Sequence, residues 1–247
     1  MARGRVRDSG FAFRVKGGTL GLMETPLLLH EEVLLLALSD EKGTIKGATW
    51  YQQMIGGAVL AELLLSGRVE LVKERKKTWL EVRDATPLGE PLIDEWLATM
   101  AAAKKRRQLP DWLGRIARTK DLKGRVARRL ADRGILAVKA DKVLGVFNRE
   151  RYPEADGGPE RAVRARLEAA IFGEANEVDV RTVVLLSLIR QGDWLNAMFG
   201  RKALKPRKAR IEALIAGDSV GEALKATVQA IVAMAVIAST TVVITAS

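Results

Sequence analysis

The 247-residue chain predicts a mainly α protein: one globular helical domain with two short β-hairpins. Three observations carry that expectation. Apolar residues recur at helical spacing through most of the chain, whereas period-two alternation is confined to two short stretches. Glycine and proline fall where elements should end, at Gly43, Gly67, Pro87, Gly89, Pro110 and Gly134. A chain of this length also buries about 70 to 75% of its unfolded surface, enough for a single core.

Residues 1–24 read as a basic arm with Arg3, Arg5, Arg7 and Arg14, in which FAFRV and Gly17-Gly18 suit a short strand and turn or a disordered tail. No continuous apolar run follows these cations, so the arm is not a secretory signal and the chain is expected in the cytoplasm. Residues 25–247 form the domain. Thr25 and Pro26 stand as N-cap and first residue of helix one. That helix carries Leu28, Leu29, Glu32, Val33, Leu35, Leu36 and Leu38, too densely apolar for a one-faced surface helix, so it should be buried on most sides. A turn through Ser39 to Gly43 leads to a second apolar helix with an internal Gly56-Gly57 pair, closed by Gly67. Glycine inside a helix costs about 1 kcal/mol against alanine, which asks for a closely approaching backbone.

Val69 to Glu74 and Thr78 to Arg83 alternate around Arg75-Lys76-Lys77 as a hairpin with a basic tip. The segment PLIDEWLATMAAAKKRR predicts a helix with Leu92, Ile93, Trp96, Leu97 and Met100 on one face and a basic C-terminal end suited to the helix dipole. A short helix through Trp112, Leu113 and Ile116 follows Pro110. Another covers Lys120 to Arg133, and a second hairpin spans Ile135 to Val138 and Val143 to Phe147. Helices follow over Glu160 to Phe172, Val178 to Arg190, Lys205 to Ala216 and from Ser219 onward, with a link through Trp194 and Phe199. The uncharged run Ala226 to Ser247 reaches the length of a membrane span, but Thr227, Gln229, Ser239, Thr240 and Thr241 interrupt it. It reads as a buried helix to about Ala238 with a β-prone tail.

Composition narrows the chemistry. The absence of cysteine excludes disulfides, thiolate metal sites and cysteine nucleophiles. The single histidine, His30, lies in the apolar first helix and reads as a packed residue, with no second ligand of its kind to build a metal site. A net charge of +11 points to a polyanionic partner, nucleic acid or an anionic membrane. The alanine, arginine, glycine and valine bias resembles that of a GC-rich, bacterial genome.

No phosphate loop and no dinucleotide fingerprint occur, so no cofactor is expected. Gly217-Asp218-Ser219-Val220-Gly221 matches the nucleophile elbow literally, but a helix precedes it and no histidine follows, which makes it a helix-ending turn. Glu31-Glu32 and Asp94-Glu95 are adjacent on helices, where neighbours point apart, and read as ordinary helix residues. The Lys120 helix is the functional candidate: Lys120 and Lys123 are spaced to present two cations on one face. By itself that pattern equally describes a solvated basic face.

HEEVLLLALSDEKG, the glycine helix ending AELLLSGRVEL, RLADRGIL at Arg129 to Leu136, and VRTVVLLSLI with NAMF occur here in an order that resembles the Golgi phosphoprotein 3 family, from about Pro26 to Ala238. The resemblance implies a helical domain that docks on membranes through a phosphoinositide headgroup, without catalysis. Counting back from Arg-Gly-Ile-Leu, it places Lys120 and Lys123 where two family arginines contact the phosphoinositide, and Arg125 at a further family arginine. The family's pocket tryptophan falls at about Lys46 or Gly47, with Trp50 the nearest aromatic alongside Tyr51, and a pocket arginine matches Gly56. Two conservative replacements and two losses leave selectivity for phosphatidylinositol 4-phosphate open. Leu144, Val146 and Phe147 match the family's membrane-inserting hairpin tip, although taken alone they favour core packing.

The resulting expectation is a peripheral membrane protein. Its headgroup residues are Lys120, Lys123, Arg125 and Trp50, and its membrane wedge is Leu144, Val146 and Phe147. Membrane-enzyme tails and a homo-oligomer are the further partners that the resemblance implies. Two rivals stand beside it. Helix, glycine and hairpin is also the order of a winged-helix nucleic-acid module, although the basic helix offers few Asn or Gln base readers. A small-molecule-binding or enzymatic protein of a biosynthetic pathway is the other.

Overall fold

The computed structural model describes residues 26–46, 50–75, 77–143, 147–175, 177–190, 194–218, 220, 225, 228–229 and 231–233. The expected basic arm lies outside them, as does most of the 226–247 run.

Helix α1 (Leu29–Ala37) is the centre of the fold, and all nine of its residues are buried. It packs against α2 (Tyr51–Leu65), α5 (Leu122–Asp132), α6 (Gly158–Phe172) and α7 (Val180–Ile189). The dense apolar pattern therefore does mean burial on every side. The start of α1 differs from expectation, because Pro26 is exposed and lies two residues before the cap, Leu28. Instead of a Thr25 cap, two carboxylates take up the first amides. Glu31 accepts from the Leu28 N–H at 2.9 Å, and Glu62 of α2 accepts from the Leu29 N–H at 2.6 Å.

The glycine pair of α2 answers two neighbours. A Cβ at Gly56 would lie 3.3 Å from both the Ala117 nitrogen and the Leu113 oxygen of α4 (Leu109–Ala117), so the expected backbone approach is present there. At Gly57 the neighbour is a side chain, the Leu188 Cδ2 at 2.8 Å. Strands β1 (Val69–Glu74) and β2 (Lys77–Val82) form the expected antiparallel hairpin, with Glu74 opposite Lys77.

The KKRR stretch is a correction. Helix α3 (Pro91–Ala101) ends before it and has no basic residue in its last turn. The run leads into β3 (Arg107–Gln108), which pairs with Trp79 and Leu80 of β2 and makes a three-stranded sheet. The second hairpin is shifted as well. Its strands are β4 (Lys139–Val143) and β5 (Phe147–Arg151), whereas Ile135 and Leu136 are buried in the core. Apolarity rather than strand alternation explains that earlier pair.

Among the described residues the chain continues through α8 (Trp194–Phe199), α9 (Arg201–Leu204), a 3₁₀ turn over Lys205–Arg207, and α10 (Lys208–Ala216) ending at Gly217 with φ +81°. That left-handed glycine ends a helix, as expected of the GDSVG segment. Val228 and Ile231 are fully buried. Among the described residues no helix is long and apolar enough to cross a membrane.

Candidate headgroup site

Glu31 and Glu32 are not ordinary helix residues. Both are buried, and each finds its partner across the core. Glu31 accepts from Arg129 Nε at 3.0 Å and from Arg133 at 2.9 Å, and Glu32 accepts from Arg166 at 2.8 Å. Glu62 takes a two-pronged bond from Arg181 at 2.9 and 2.6 Å. Buried carboxylates have to be matched in this way, since an unpaired one would be strongly destabilising. His30 sits in the same layer, fully buried, 3.8 Å from Glu90. Burial, and then the charges of Arg129 and Arg181, pull its pKa down to about 3, so it is a neutral packed residue, as expected. A cleft of about 500 Å³ opens beside this layer and is lined by Arg133, Arg166 and Arg181, each already paired with an internal carboxylate.

Of the residues expected to hold a headgroup, Lys120 and Lys123 lie in and just after the α4–α5 turn, with Tyr152, just past β5, packed on Lys123, whereas Arg125 and Trp50 find partners elsewhere. The Gly56 contact fixes α2 against α4. Burial, and then the charge of Asp121, push the Tyr51 hydroxyl up. Lys120 is exposed, but in that turn rather than on α5, which starts at Leu122. Lys120 and Lys123 therefore do not share a helix face. They flank Asp121, a left-handed residue with φ +52°.

Lys123 is half-buried, with its ammonium 5.4 Å from the ring centroid of the buried Tyr152. Burial, and then the Glu150 carboxylate, push the Tyr152 hydroxyl up, so it serves as a hydrogen-bond donor and not as a base. Arg125 is turned to α3, bonded to Glu95 at 2.6 Å. Arg128 ties the turn together: it bonds Asp121, donates to Glu150 at 2.8 Å and donates to the Tyr152 hydroxyl at 3.3 Å. Gly124 makes room for this, since a Cβ there would overlap the Asp121 carboxylate.

Trp50 caps α2 and packs half-buried on the core. Lys46, near the position expected to match the family's tryptophan, bonds Asp40 at 2.7 Å. Gly56, expected to match a family arginine, faces the backbone of α4, which would have to move to admit a long side chain. Leu144 and Val146 lie outside the described residues, and Phe147 is placed in β5, opposite Val143, by its backbone.

Two cations beside the turn were not singled out from the sequence. Arg115 and Arg118 are exposed at the C-terminal end of α4, next to Lys120, where the helix dipole favours cations. Their signal was the charge of Arg115 and Arg118 beside the short helix read through Trp112, Leu113 and Ile116. Asp121 was also missed, and only its backbone conformation reveals it. Among the described residues, no group of three or more His, Asp or Glu side chains is placed to hold a metal.

The sequence profile of the Golgi phosphoprotein 3 family (GPP34) matches residues 29–231. The chain belongs to the Golgi phosphoprotein 3 family. It is also similar to vacuolar protein sorting-associated protein 74 of Eremothecium gossypii, 26% identical over 163 residues that cover 58% of this chain and 49% of that protein. The protein of the same name from Schizosaccharomyces pombe is 26% identical over 174 residues, covering 62% of this chain and 50% of the relative. The chain thus matches about half the length of these curated relatives. Both are fungal, so the bacterial origin expected from composition is not supported.

Proposed function

We propose that the chain is a peripheral membrane-binding protein that recognises anionic phospholipid headgroups, phosphatidylinositol 4-phosphate among them, at the α4–α5 turn. The observation that carries this reading is the set of cations Arg118, Lys120 and Lys123 around the α4–α5 turn, in a member of the Golgi phosphoprotein 3 family. Among the described residues Lys120 and Arg118 have no carboxylate partner. Cations left facing solvent at one turn suit a compact multivalent anion. Lysine offers a point charge rather than a two-pronged fork, so discrimination between anionic headgroups is weaker than two arginines would give.

In this reading the β4–β5 hairpin, with Leu144, Val146 and Phe147, is the membrane wedge. Burying such a tip contributes about 2 to 4 kcal/mol at about 25 cal/mol per Å², and an oligomer multiplies the effect. The protein then works in the cytoplasm as an adaptor, holding the tails of membrane enzymes, with no catalytic step.

The nucleic-acid reading is disfavoured by the arginines of α5. A recognition helix turns its cations to phosphate, but here Arg125, Arg128, Arg129 and Arg133 bond Glu95, Asp121 with Glu150, and Glu31. The test is vesicle co-flotation of the double variant Lys120→Glu/Lys123→Glu, which leaves the Arg125 ion pair intact. Loss of binding to acidic vesicles, with a cooperative thermal transition retained, is expected. Binding equal to that of the parent protein would remove the site.

A further inference from the structure

The layer of buried ion pairs meets solvent at the cleft of about 500 Å³. Leu27 before α1, Ala162 and Val163 of α6, and three guanidiniums form its walls: Arg133 from the end of α5, Arg166 of α6 and Arg181 of α7. Each guanidinium is held from behind by a carboxylate. Arg133, Arg166 and Arg181 are 23, 35 and 31% exposed, whereas their partners Glu31, Glu32 and Glu62 are 0, 3 and 7% exposed. The three pairs are therefore oriented alike, with the cation outward. Arg166 is the least used of the three. Among the described residues it bonds only Glu32, and its buried Nε has no partner.

The helix ends act in the same direction. Leu27 stands just before α1, Gly158 opens α6 and Arg181 is the second residue of α7, so three helix N-termini border the cleft, each with a partial positive charge. Two carboxylates line it as well, and both are taken up: Glu32 by Arg166, and the exposed Asp156 by the Gly158 N–H at 2.9 Å.

We infer that this cleft binds a small ligand carrying a compact oxyanion, a carboxylate or a phosphate, with Arg166 as the anchor and Leu27, Ala162 and Val163 against its apolar part. Guanidinium forks match such oxyanions with two parallel bonds. A guanidinium has five N–H donors, more than one carboxylate takes up, so the ligand adds bonds without displacing Glu31, Glu32 or Glu62. Because those carboxylates already fix the arginines, little side-chain freedom remains to be lost on binding. A cleft of this size suits a small molecule. The site is separate from the headgroup turn: α5, of 11 residues, is about 16 Å long, and Arg133 stands at its far end from Lys120 and Lys123. The inference does not rest on the membrane reading.

The experiment is isothermal titration calorimetry of the full chain with inorganic phosphate, pyrophosphate, succinate and citrate at constant ionic strength, comparing the parent protein, Ala162→Trp, Arg166→Gln and Lys120→Glu/Lys123→Glu. Saturable one-to-one binding of at least one anion by the parent is expected; preference for the phosphates assigns a phosphate ligand, and preference for the other two a carboxylate. Ala162 is exposed and uncharged, so tryptophan there fills the cleft without breaking an ion pair. Both Ala162→Trp and Arg166→Gln should bind about tenfold more weakly or worse, the loss of one charge-assisted hydrogen bond, and Ala162→Trp decides the matter where Arg166→Gln fails to fold. The Lys120/Lys123 variant should bind as the parent does. No saturable binding of any of the four anions by the parent, or parent-like binding by Ala162→Trp, would overturn the cleft site. Loss of binding in the Lys120/Lys123 variant would overturn it too, by placing the anion at the α4–α5 turn, and would leave the headgroup reading standing.

Discussion

His30 makes the interior testable by titration. It is the only histidine in the chain, it is fully buried, and neither ring nitrogen has a hydrogen-bond partner among the described residues. Its pKa falls from 6.5 to about 3 on folding. The unfolded chain therefore binds a proton below pH 6.5 that the folded chain refuses until about pH 3, and stability is lost as pH falls through that window. Each pH unit is worth about 1.4 kcal/mol, so about 2 kcal/mol should disappear between pH 7 and about pH 5. Glu32 and Glu90, raised by burial, act in the opposite sense, because the folded form takes up their protons first. The comparison is therefore with His30→Leu, which keeps both carboxylates, fills the site and cannot titrate. Urea unfolding followed by tryptophan fluorescence at both pH values measures the difference at constant ionic strength. The parent should lose about 2 kcal/mol more than His30→Leu. Equal losses would refute a neutral, packed His30.

Glu62→Gln removes the charge that both caps α1 and holds Arg181. Because Arg181 is partly solvated, the expected loss is about 2 to 3 kcal/mol, at or below the usual range for a broken buried pair, read as a lower urea midpoint with unchanged slope. Gly43 has φ +58°, and a Cβ there would overlap the backbone of Tyr152 and Pro153; Gly43→Ala should lower stability by more than about 2 kcal/mol, measured the same way. Asp121→Asn keeps a residue that tolerates the left-handed region and removes a negative charge beside Lys120 and Lys123 while releasing Arg128. Its expected result is severalfold tighter binding to acidic vesicles in a flotation titration, and weaker binding would count against the α4–α5 turn as the anion site.

The elements with strong local signals were legible in the sequence. Leucine density predicted the burial of α1, and Gly67, Gly134 and Gly217 each stand at a helix end with positive φ. Period-two alternation located β1 and β2. Errors arose where a partner distant in sequence decides the outcome. Alanine and lysine after Ala101 favour helix locally, but the edge of β2 draws the segment into a strand. Ile135 and Leu136 look like a strand and are core residues, because apolarity alone does not distinguish the two. Glu31 reaches Arg129 and Arg133 about a hundred residues away, and no local pattern announces that pairing. At the candidate site Lys120 and Lys123 were singled out by their spacing and by the resemblance counted back from Arg-Gly-Ile-Leu, whereas Arg115 and Arg118 were not. The left-handed Asp121 that separates Lys120 from Lys123 was not, since nothing in the Thr-Lys-Asp-Leu string marks a helix beginning only at Leu122.

The central claim is anionic headgroup recognition, and its most direct measurement is co-flotation of the parent chain with neutral, phosphatidylserine, phosphatidylinositol and phosphatidylinositol 4-phosphate vesicles at low and physiological salt. The account predicts no binding to neutral vesicles, binding to every anionic one, and the strongest, most salt-resistant binding with the 4-phosphate. Equal recovery with neutral and anionic vesicles, or no recovery with any, would contradict it.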